Sequence, residues 1–343
     1  MRLHDIDFGP VIGASGVQGF YGEGYPHHKW FRKLFPFGFD FNGLTFTAKT
    51  TTLESRRGNM QLGDDGLTVR KLFPDCIRVN FREAAVLNAV GLSGPGALFL
   101  LAKNGPCNPW IERTSPFFLS FATTATTPEL RLKETRDFLK YLQVFASQFK
   151  APFGLQINFS CPNTEHGPTE GMAFVAEVHA TLDTLRSLNV PLVPKLNILT
   201  PPSIARQISD HSACDALCVS NTIPWGSLPA QINWSGLFGS QESPLAKYGG
   251  GGLSGSPIFE PVREWVHQAR NDASIRKPII AGGGVMSEGD LKRLAGSGAS
   301  AISLGSIAIL RPWRLARVIK SAYQVYCHIF PEKKGGNQCQ YQH

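Results

Sequence analysis

Apolar positions along the chain follow two different periods in alternation. Short runs with the alternating or fully apolar pattern of β-strands are separated by longer stretches in which apolar residues recur every three or four positions, the spacing of an amphipathic helix. The clearest helical faces are Phe138, Leu142, Phe145 and Phe149 in one stretch and Val175, Val178, Leu182 and Leu185 in the next. Repeated strand–helix units of this kind predict a parallel sheet covered by helices.

Eight strand-like runs follow an opening apolar segment at residues 9–14. They are Leu44–Lys49, Cys76–Asn80, Pro116–Ser120, Leu155–Phe159, Pro191–Lys195, Asp215–Ser220, Pro278–Ala281 and Ala301–Leu304. Eight strand–helix units predict an α/β fold of the (β/α)8 TIM-barrel type, and a chain of 343 residues suits one such domain. We expect this domain to occupy residues 1–330 and the polar tail at 331–343 to be disordered. The long irregular segment at 223–249 is expected to cover a functional site.

The composition of the chain indicates where the protein is located and what kind of ligand it binds. Hydrophobic residues make up 42% and charged residues 17% of the chain, as in a soluble globular protein with a large core. No apolar run reaches the roughly 18 residues of a membrane-spanning helix, and the first residues lack the apolar stretch of a signal peptide. We therefore expect a cytoplasmic protein. The net charge of +8 suits an anionic substrate or cofactor, or nucleic acid, without choosing between them.

The seven cysteines do not form the pattern of a disulfide framework or a metal site. Their number is odd, their spacing is wide, and no Cys-x-x-Cys pair occurs. Cys214 and Cys218, the closest two, lie in a strand-like segment that does not resemble a zinc or iron–sulfur motif. We predict reduced thiols and no metal.

One strand-like run ends in an unusually reactive set of groups. Leu155–Phe159 alternates apolar and polar residues and leads into the turn Ser160-Cys161-Pro162-Asn163. Loops after parallel barrel strands are where such folds place catalytic residues, and Pro162 fixes the turn that presents the Cys161 thiol. A buried structural cysteine is an equally good interpretation of these residues alone.

Three glycine clusters in the last third of the chain indicate a phosphate site. Residues 249–255 precede a helix near Pro261, Gly282–Gly284 ends the seventh strand-like run, and Gly305-Ser306 ends the eighth. Glycine lets backbone N–H groups approach an anion, and loops after strands 7 and 8 of (β/α)8 barrels form a phosphate site. A flavin mononucleotide suits this position, because its phosphate would bind here with its ring over the barrel mouth.

Polar side chains at the other strand ends suit a flat polar ring. Lys49 and Lys195 end strand-like runs, and a lysine inside a barrel requires an anion or an electron-rich ring nearby, unless it extends to solvent or pairs with an acid. Four amides lie at the predicted rim: Asn88, Asn158, Asn163 and Asn221. Each amide carries donors and acceptors, so together they could bind the edge of a cyclic imide, although any one of them could be a turn residue.

The order of these motifs resembles the dihydroorotate dehydrogenase family over about residues 8–326. The sequence Asn-Phe-Ser-Cys-Pro-Asn-Thr at 158–164 is similar to the family's catalytic motif. The other motifs that match in order are Ala14-Ser15-Gly16, Lys49-Thr50, Glu54 with Arg57-Gly58-Asn59, residues 88–92, Lys195, Asn221-Thr222, residues 251–255, Gly283-Gly284 and Gly305-Ser306.

The resemblance implies FMN-dependent oxidation of (S)-dihydroorotate to orotate in pyrimidine biosynthesis. It implies that Cys161 takes the C5 proton, that FMN accepts the C6 hydride, and that Lys195 is the second catalytic residue. The implied substrate-binding residues are Lys49, Asn88, Val90, Gly91, Leu92, Asn158, Asn163, Asn221 and Thr222. The implied cofactor-binding residues are Ala14, Ser15, Gly16, Lys49, Thr50, Asn158, Lys195, Gly252, Ser254, Gly255, Gly283, Gly284, Gly305 and Ser306.

The cysteine at position 161 implies class 1 of the family, since class 2 members use serine there. Class 2 members also carry an N-terminal amphipathic helical pair, for which the early first strand leaves no room, so we expect no membrane partner. Related enzymes that act on tRNA have Gly before the Cys and a separate RNA-binding domain, so Ser160 and the lack of such a basic domain lead us to expect no nucleic-acid partner. The resemblance implies a homodimer. It leaves the electron acceptor open between fumarate, NAD through a separate iron–sulfur subunit, and another oxidant.

Two departures from the family pattern leave alternatives open. Residues 91–96 read Gly-Leu-Ser-Gly-Pro-Gly where relatives have an asparagine, and the 164–171 loop carries His166 in an unusual place. A related flavin enzyme acting on dihydrouracil or dihydrouridine rings, and a non-catalytic FMN-binding barrel, are the two alternatives.

Overall fold

The structure, a computed structural model, describes residues 1–159 and 171–329. Its strands are β1 (Arg2–Leu3), β2 (Ile6–Asp7), β3 (Val11–Gly13), β4 (Ile77–Asn80), β5 (Ala85–Asn88), β6 (Phe117–Phe121), β7 (Phe153–Asn158), β8 (Leu192–Leu196), β9 (Leu217–Val219), β10 (Ile223–Pro224), β11 (Gly252–Gly255), β12 (Ile279–Ala281) and β13 (Ala301–Leu304). Its helices are α1 (Pro26–Leu34), α2 (Ala97–Ala102), α3 (Pro128–Ala146), α4 (Met172–Leu185), α5 (Pro202–Ser209), α6 (Trp234–Phe238), α7 (Phe259–Asn271), α8 (Glu288–Gly296), α9 (Ile307–Leu310) and α10 (Leu315–Ile329).

Seven of these strands form one curved parallel sheet in the order β3-β13-β12-β9-β8-β7-β6. The 45–51 segment lies between the two ends of that sheet and closes it. Thr45 forms a parallel bridge to Ile12 in β3, and Thr47 forms another to Phe118 in β6. This segment is therefore the eighth strand of the ring, and the predicted (β/α)8 barrel is confirmed.

One predicted barrel strand lies elsewhere, and the opening segment takes its place. The Cys76–Asn80 run forms β4, which pairs antiparallel with β5 in a separate four-stranded sheet that also contains β11 and β10. Arg78 and Val79 in β4 are exposed, whereas every residue of β3 is buried. A parallel barrel strand has core on one face and helices on the other, so the exposed β4 could not occupy such a position.

The helices pack outside the barrel with the predicted faces inward. All four predicted apolar positions of α4 are buried, as are Phe138 and Leu142 of α3. The predicted α3 face extends too far, because the helix ends at Ala146 and Phe149 follows it. The Phe149 ring instead packs against Phe153 at the start of β7, with centroids 5.1 Å apart.

The inside of the barrel is filled at its amino-terminal end. Ile12, Val193 and Ile280 belong to a buried apolar cluster between the strands. Phe8, just before β3, stacks on Phe118 with ring centroids 4.2 Å apart. Because this end is closed by packed side chains, a site can form only at the carboxyl ends of the strands, where such barrels place their chemistry.

Candidate active site

The inward side chains change from apolar to polar one layer above this core. Side chains alternate between the two faces of a strand, so the inward position after Val193 in β8 is Lys195. The parallel register places Asn158 of β7 beside Lys195, and Lys195 beside Cys218 of β9. The 45–51 segment directs Phe46 and Ala48 into the outer core, which leaves Lys49 facing inward. Strand geometry alone thus brings two lysines and an amide to one level of the barrel.

A cavity of about 610 Å³ lies at this level. Eighteen of the predicted site residues line it: Ala14, Ser15, Gly16, Lys49, Thr50, Asn88, Val90, Gly91, Leu92, Asn158, Lys195, Asn221, Thr222, Ser254, Gly283, Gly284, Gly305 and Ser306. Gly252 and Gly255 are not among the lining residues. Cys161 and Asn163 lie outside the described residues.

Lys49 is held by an aromatic ring and a backbone carbonyl. It is only 9% exposed, and its ammonium group donates to the carbonyl oxygen of Ser93 and lies 4.6 Å from the centre of the Phe20 ring. The Phe20 backbone is fixed in turn, because the indole N–H of Trp110 donates to its carbonyl oxygen at 2.7 Å. These contacts keep the Lys49 charge at the cavity surface and restrict its direction.

Arg113 supports the loop that carries Phe20. Its guanidinium group lies 3.6 Å from the centre of the Phe46 ring and donates to the carbonyl oxygen of Tyr21 at 2.7 Å. Burial lowers the pKa of Arg113 to about 10, which still leaves it charged at neutral pH. The cation therefore holds the 19–25 loop against the barrel without taking part in the cavity itself.

Lys195 is the second cation at the cavity and is also only 9% exposed. Its strand neighbour Cys218 is buried, and this burial raises the pKa of the Cys218 thiol to about 11, although the Lys195 charge opposes the shift. The thiol therefore stays neutral and does not balance the lysine as a thiolate. A buried cation at this place favours an anionic or electron-rich group in the cavity.

Two of the predicted amides are joined directly. The Asn221 side-chain NH2 donates to the side-chain oxygen of Asn158 at 2.9 Å, and the Asn221 oxygen accepts from the Thr222 backbone N–H at 3.0 Å. Asn197, a buried residue that the sequence analysis missed, donates to the Thr222 carbonyl oxygen at 2.7 Å. Asn88 also lines the cavity, and its side-chain NH2 donates to the Gly252 carbonyl oxygen at 3.3 Å. These hydrogen bonds fix the orientation of each amide group, and so whether its oxygen or its NH2 group faces the cavity.

The glycines that end β12 and β13 have little room for a side chain. Gly284 has φ +77°, and a Cβ atom there would lie 2.5 Å from the Gly255 carbonyl oxygen. A Cβ atom at Gly305 would lie 2.8 Å from the Cβ of Ala14. Bare backbone therefore borders the cavity at two adjacent strand ends, which fits the phosphate of a flavin nucleotide.

The third predicted glycine cluster has a different explanation. Gly252–Gly255 forms strand β11 of the antiparallel sheet, and the Cβ of any side chain at Gly255 would collide with the Ala84 carbonyl oxygen. Close strand packing accounts for glycine at position 255, and only Ser254 of this strand lines the cavity. Cofactor binding by Gly252 and Gly255 stays a prediction to which the cavity adds nothing.

The segment expected to cover the site does not line it. Residues 223–249 pack onto the antiparallel sheet, where Ile223, Trp234 and Leu245 belong to a second buried cluster. None of them borders the cavity. A long irregular sequence was therefore misinterpreted as a cover because its own small core, anchored by tryptophan, was not apparent from the pattern.

The cover is instead formed by residues that the sequence analysis did not select. We call this the aromatic wall: Tyr25, His27, His28 and Phe31 at the start of α1, with residues 71–74, 77–79 and 81 from the segment before β5. Burial lowers the pKa of His28 to about 3, so its ring is neutral. The ring nitrogen Nε2 of His27 is buried and has no hydrogen-bond partner within the described residues. The i, i+4 spacing of His27 and Phe31 was the available signal for a helical wall.

The barrel and its rim of lysines, amides and glycines define a (β/α)8 enzyme of the flavin-dependent type. The chain belongs to the dihydroorotate dehydrogenase family, whose model matches residues 4–324, and it is of the class 1 type. Within the described residues, no helix has the length and apolar character needed to span a membrane.

Two relatives carry the same name, "Dihydroorotate dehydrogenase B (NAD(+)), catalytic subunit". The protein from Cutibacterium acnes is 28% identical over 317 residues, which covers 90% of this chain and 87% of the relative. The protein from Listeria monocytogenes is 29% identical over 320 residues, with coverage of 90% and 87%.

Two solved structures share the fold. Ligand-free DHODH from Eimeria tenella aligns with a TM-score of 0.64 at 19% identity, covering 96% of this chain and 88% of that one. The same enzyme in complex with ferulenol aligns with a TM-score of 0.63 at 17% identity, covering 96% and 84%.

Proposed function

We propose that the chain oxidises (S)-dihydroorotate to orotate in pyrimidine biosynthesis, with FMN as its flavin. The observation that carries the proposal is the convergence of two buried lysines and a hydrogen-bonded amide pair on one cavity, in a chain of the dihydroorotate dehydrogenase family. The reaction removes a proton from C5 and a hydride from C6, and the C5–C6 single bond becomes a double bond. When bound, FMN supplies the acceptor for that hydride.

We propose Cys161 as the base that takes the C5 proton. It follows Asn158 by three residues, and Asn158 lines the cavity. A free thiol has a pKa of about 8.5, so a nearby positive charge is needed to keep it deprotonated near neutral pH. Lys49 and Lys195 place two such charges at the same cavity.

The other roles follow from charge and hydrogen-bonding capacity. Lys49 would bind the substrate carboxylate, and the amides of Asn88, Asn158, Asn163 and Asn221 would bind the ring. Lys195 would stabilise negative charge on the reduced flavin. Gly283, Gly284, Gly305 and Ser306 would hold the phosphate, because bare backbone lines that end of the cavity.

We further propose that a separate electron-transfer subunit reoxidises the flavin. The support is that the relatives from Cutibacterium acnes and Listeria monocytogenes are named catalytic subunits of an NAD(+) enzyme. The homodimer, the cytoplasmic location and the single domain over residues 1–330 belong to the same proposal.

Anaerobic mixing with dihydroorotate tests the proposal. The purified protein should be yellow, and dihydroorotate should bleach its flavin absorbance. Dihydrouracil is the matched control, because it lacks the carboxylate that Lys49 would bind, and it should bleach far more slowly. Bleaching by dihydrouracil alone would assign the enzyme to a different ring, and protein that stays colourless after reconstitution with FMN would contradict the proposal entirely.

The variant Cys161→Ala tests the base. It should keep the yellow cofactor and lose turnover by about a thousandfold, the range expected when a positioned general base is removed. Cys161→Ser is the matched control, since a hydroxyl retains the position of the group but is a weaker acid, and it should keep measurable turnover at high pH. Near-normal turnover of Cys161→Ala would show that another group is the base.

A further inference from the structure

Asn197 is a buried asparagine that follows strand β8, two residues after Lys195. It is only 3% exposed and is not among the residues that line the cavity. Its side-chain oxygen accepts from the Leu199 backbone N–H at 3.0 Å, and its side-chain NH2 donates to the Thr222 carbonyl oxygen at 2.7 Å. The first hydrogen bond lies within one loop, whereas the second joins the loop after β8 to the loop after β9.

The hydrogen bond to Leu199 does not by itself require an asparagine at position 197. A side-chain oxygen that accepts from the N–H two residues further on forms an Asx turn, and aspartate forms this turn as well as asparagine does. The turn fixes the orientation of the Asn197 amide, because the oxygen must face the Leu199 N–H. The NH2 group then faces Thr222, and the local turn gives no reason for its presence.

Thr222 is held at both of its backbone polar groups. Its carbonyl oxygen accepts from Asn197, and its N–H donates to the side-chain oxygen of Asn221 at 3.0 Å. Because the Asn221 oxygen faces this N–H, the Asn221 NH2 group points the other way and donates to the Asn158 side-chain oxygen at 2.9 Å. The position of the Thr222 backbone therefore sets the orientation of the two amides that line the cavity.

The Asn197 side chain extends the contact between β8 and β9 beyond their backbone pairing. The last backbone hydrogen bond between the two loops, in the part of the chain that the structure describes, runs from the Asn221 N–H to the Leu196 carbonyl oxygen at 3.2 Å. The bond from Asn197 to Thr222 lies one residue further along each loop. It therefore holds the Thr222 backbone where the sheet itself no longer does.

We infer that Asn197 is a positioning residue for the ring-binding amides of the cavity. It acts through Thr222, whose N–H orients Asn221 and, through Asn221, the amide of Asn158. The inference rests on the proposed function, in which these two amides bind the dihydroorotate ring. Loss of the donor at position 197 should therefore weaken binding of the ring more than it slows the reaction of the bound ring.

Two substitutions in the holoenzyme separate positioning from the local turn. Asn197→Asp keeps the turn but places a carboxylate oxygen against the Thr222 carbonyl oxygen, and Asn197→Ser keeps a neutral acceptor that is too short to reach Thr222. In anaerobic bleaching of the flavin, the dihydroorotate concentration that gives half the limiting rate should rise about tenfold in both variants, because a buried carbonyl loses its donor. The limiting rate should change by less than about threefold, with flavin content unchanged. The Kd of orotate, measured from the shift in flavin absorbance, should rise by the same factor as the half-saturating concentration.

Asn80 is the matched control, because it makes the same two kinds of hydrogen bond and does not line the cavity. Its NH2 group donates to the Leu237 carbonyl oxygen at 2.8 Å, and its oxygen accepts from the Glu83 N–H at 3.1 Å. Asn80→Asp and Asn80→Ser should change the half-saturating concentration by less than about twofold.

The outcomes separate this inference from the proposed function. Normal half-saturation in both Asn197 variants, a rise in Asn197→Asp alone, or a loss confined to the limiting rate or the flavin content would overturn the inference and leave the proposed function standing. An equal rise in the Asn80 variants would also overturn it. Failure of the unchanged protein to bleach with dihydroorotate would refute the proposed function, and this inference with it.

Discussion

The two sides of the cavity are built in different ways. The strand-end rim consists of Lys49, Asn158, Lys195 and Asn221 with the glycines after β12 and β13. The two lysines are buried, and the two asparagines are half-buried and joined by a hydrogen bond. The aromatic wall comes from insertions between barrel strands, and its outer side is exposed. The rim is fixed by the register of a closed sheet, whereas the wall is fixed by aromatic rings that pack together from separate parts of the sequence. Substitutions in the rim should therefore lower the catalytic activity much more than substitutions in the wall.

The comparison is tested most strongly by removing one lysine from each side. Lys49→Met removes a buried cation at the rim, and we expect kcat/KM for dihydroorotate to fall about a hundredfold, because the site loses a charge that no other group replaces. Lys71 is the matched control, since it lines the wall but is 52% exposed and pairs with Asp75. Lys71→Met should change kcat/KM by less than about twofold. Steady-state kinetics that show equal losses would remove the distinction between the two sides.

The rim could be predicted from the sequence because strand periodicity is strict. Lys49 and Lys195 each end a strand-like run, and Asn158 lies one residue before the end of another. A closed parallel barrel brings the carboxyl ends of all its strands together. The barrel itself followed from counting strand-like runs. The count of eight barrel strands was right, but one of the eight predicted strands was wrong. Cys76–Asn80 lies outside the barrel, and its sequence pattern does not reveal that Arg78 and Val79 are exposed.

The wall could not be predicted in the same way. The sequence pattern predicted no helix or strand in residues 19–38, yet α1 forms within them, because His28 packs among Phe39 and Phe41 with ring centroids 5.1 and 5.5 Å away. That packing joins residues more than ten positions apart. The spacing of apolar residues within one segment therefore cannot reveal it. The prediction that residues 223–249 cover the site was wrong for the same reason. This segment packs against a sheet whose strands are distant in the sequence.

The second prediction concerns the glycine part of the rim. Gly284→Ala introduces a Cβ atom 2.5 Å from the Gly255 carbonyl oxygen at φ +77°, and we expect a loss of about 2–3 kcal/mol of unfolding free energy and weaker flavin retention. Gly296→Ala is the control, because nothing lies within 4 Å of its added Cβ atom and it ends helix α8. That variant should be neutral or slightly stabilising. Denaturant unfolding and flavin release measure the two effects, and an unchanged Gly284→Ala protein would show that the backbone has room there.

The third prediction concerns His28, the buried histidine of the aromatic wall. Burial lowers the pKa of His28 to about 3 in the folded protein, below its ordinary value of 6.5, so between these values the unfolded chain binds the extra proton. Stability must therefore fall as pH falls through this window, by about 2 kcal/mol between pH 7 and pH 5 from this group alone. His28→Gln should flatten that part of the stability–pH curve by this amount, whereas His267→Gln, at an exposed position, should not. Denaturation midpoints across the pH range measure the slope, and parallel curves for His28→Gln and the unchanged protein would contradict the assignment.

The smallest expected effect concerns a contact between the rim and the loop that leads into the wall. The Phe20 ring, carried by the loop that leads into the wall, lies 4.6 Å from the Lys49 ammonium group of the rim. Phe20→Leu keeps an apolar side chain but removes the cation–π attraction, so Lys49 should sample more directions. We expect kcat/KM for dihydroorotate to fall about fivefold, mainly through KM, with flavin content unchanged. Phe145→Leu is the control for a general loss of aromatic packing, because that ring packs on the outside of the barrel core. If the two variants lose stability alike and neither changes KM, the ring contributes packing only, and the rim positions Lys49 without help from the wall.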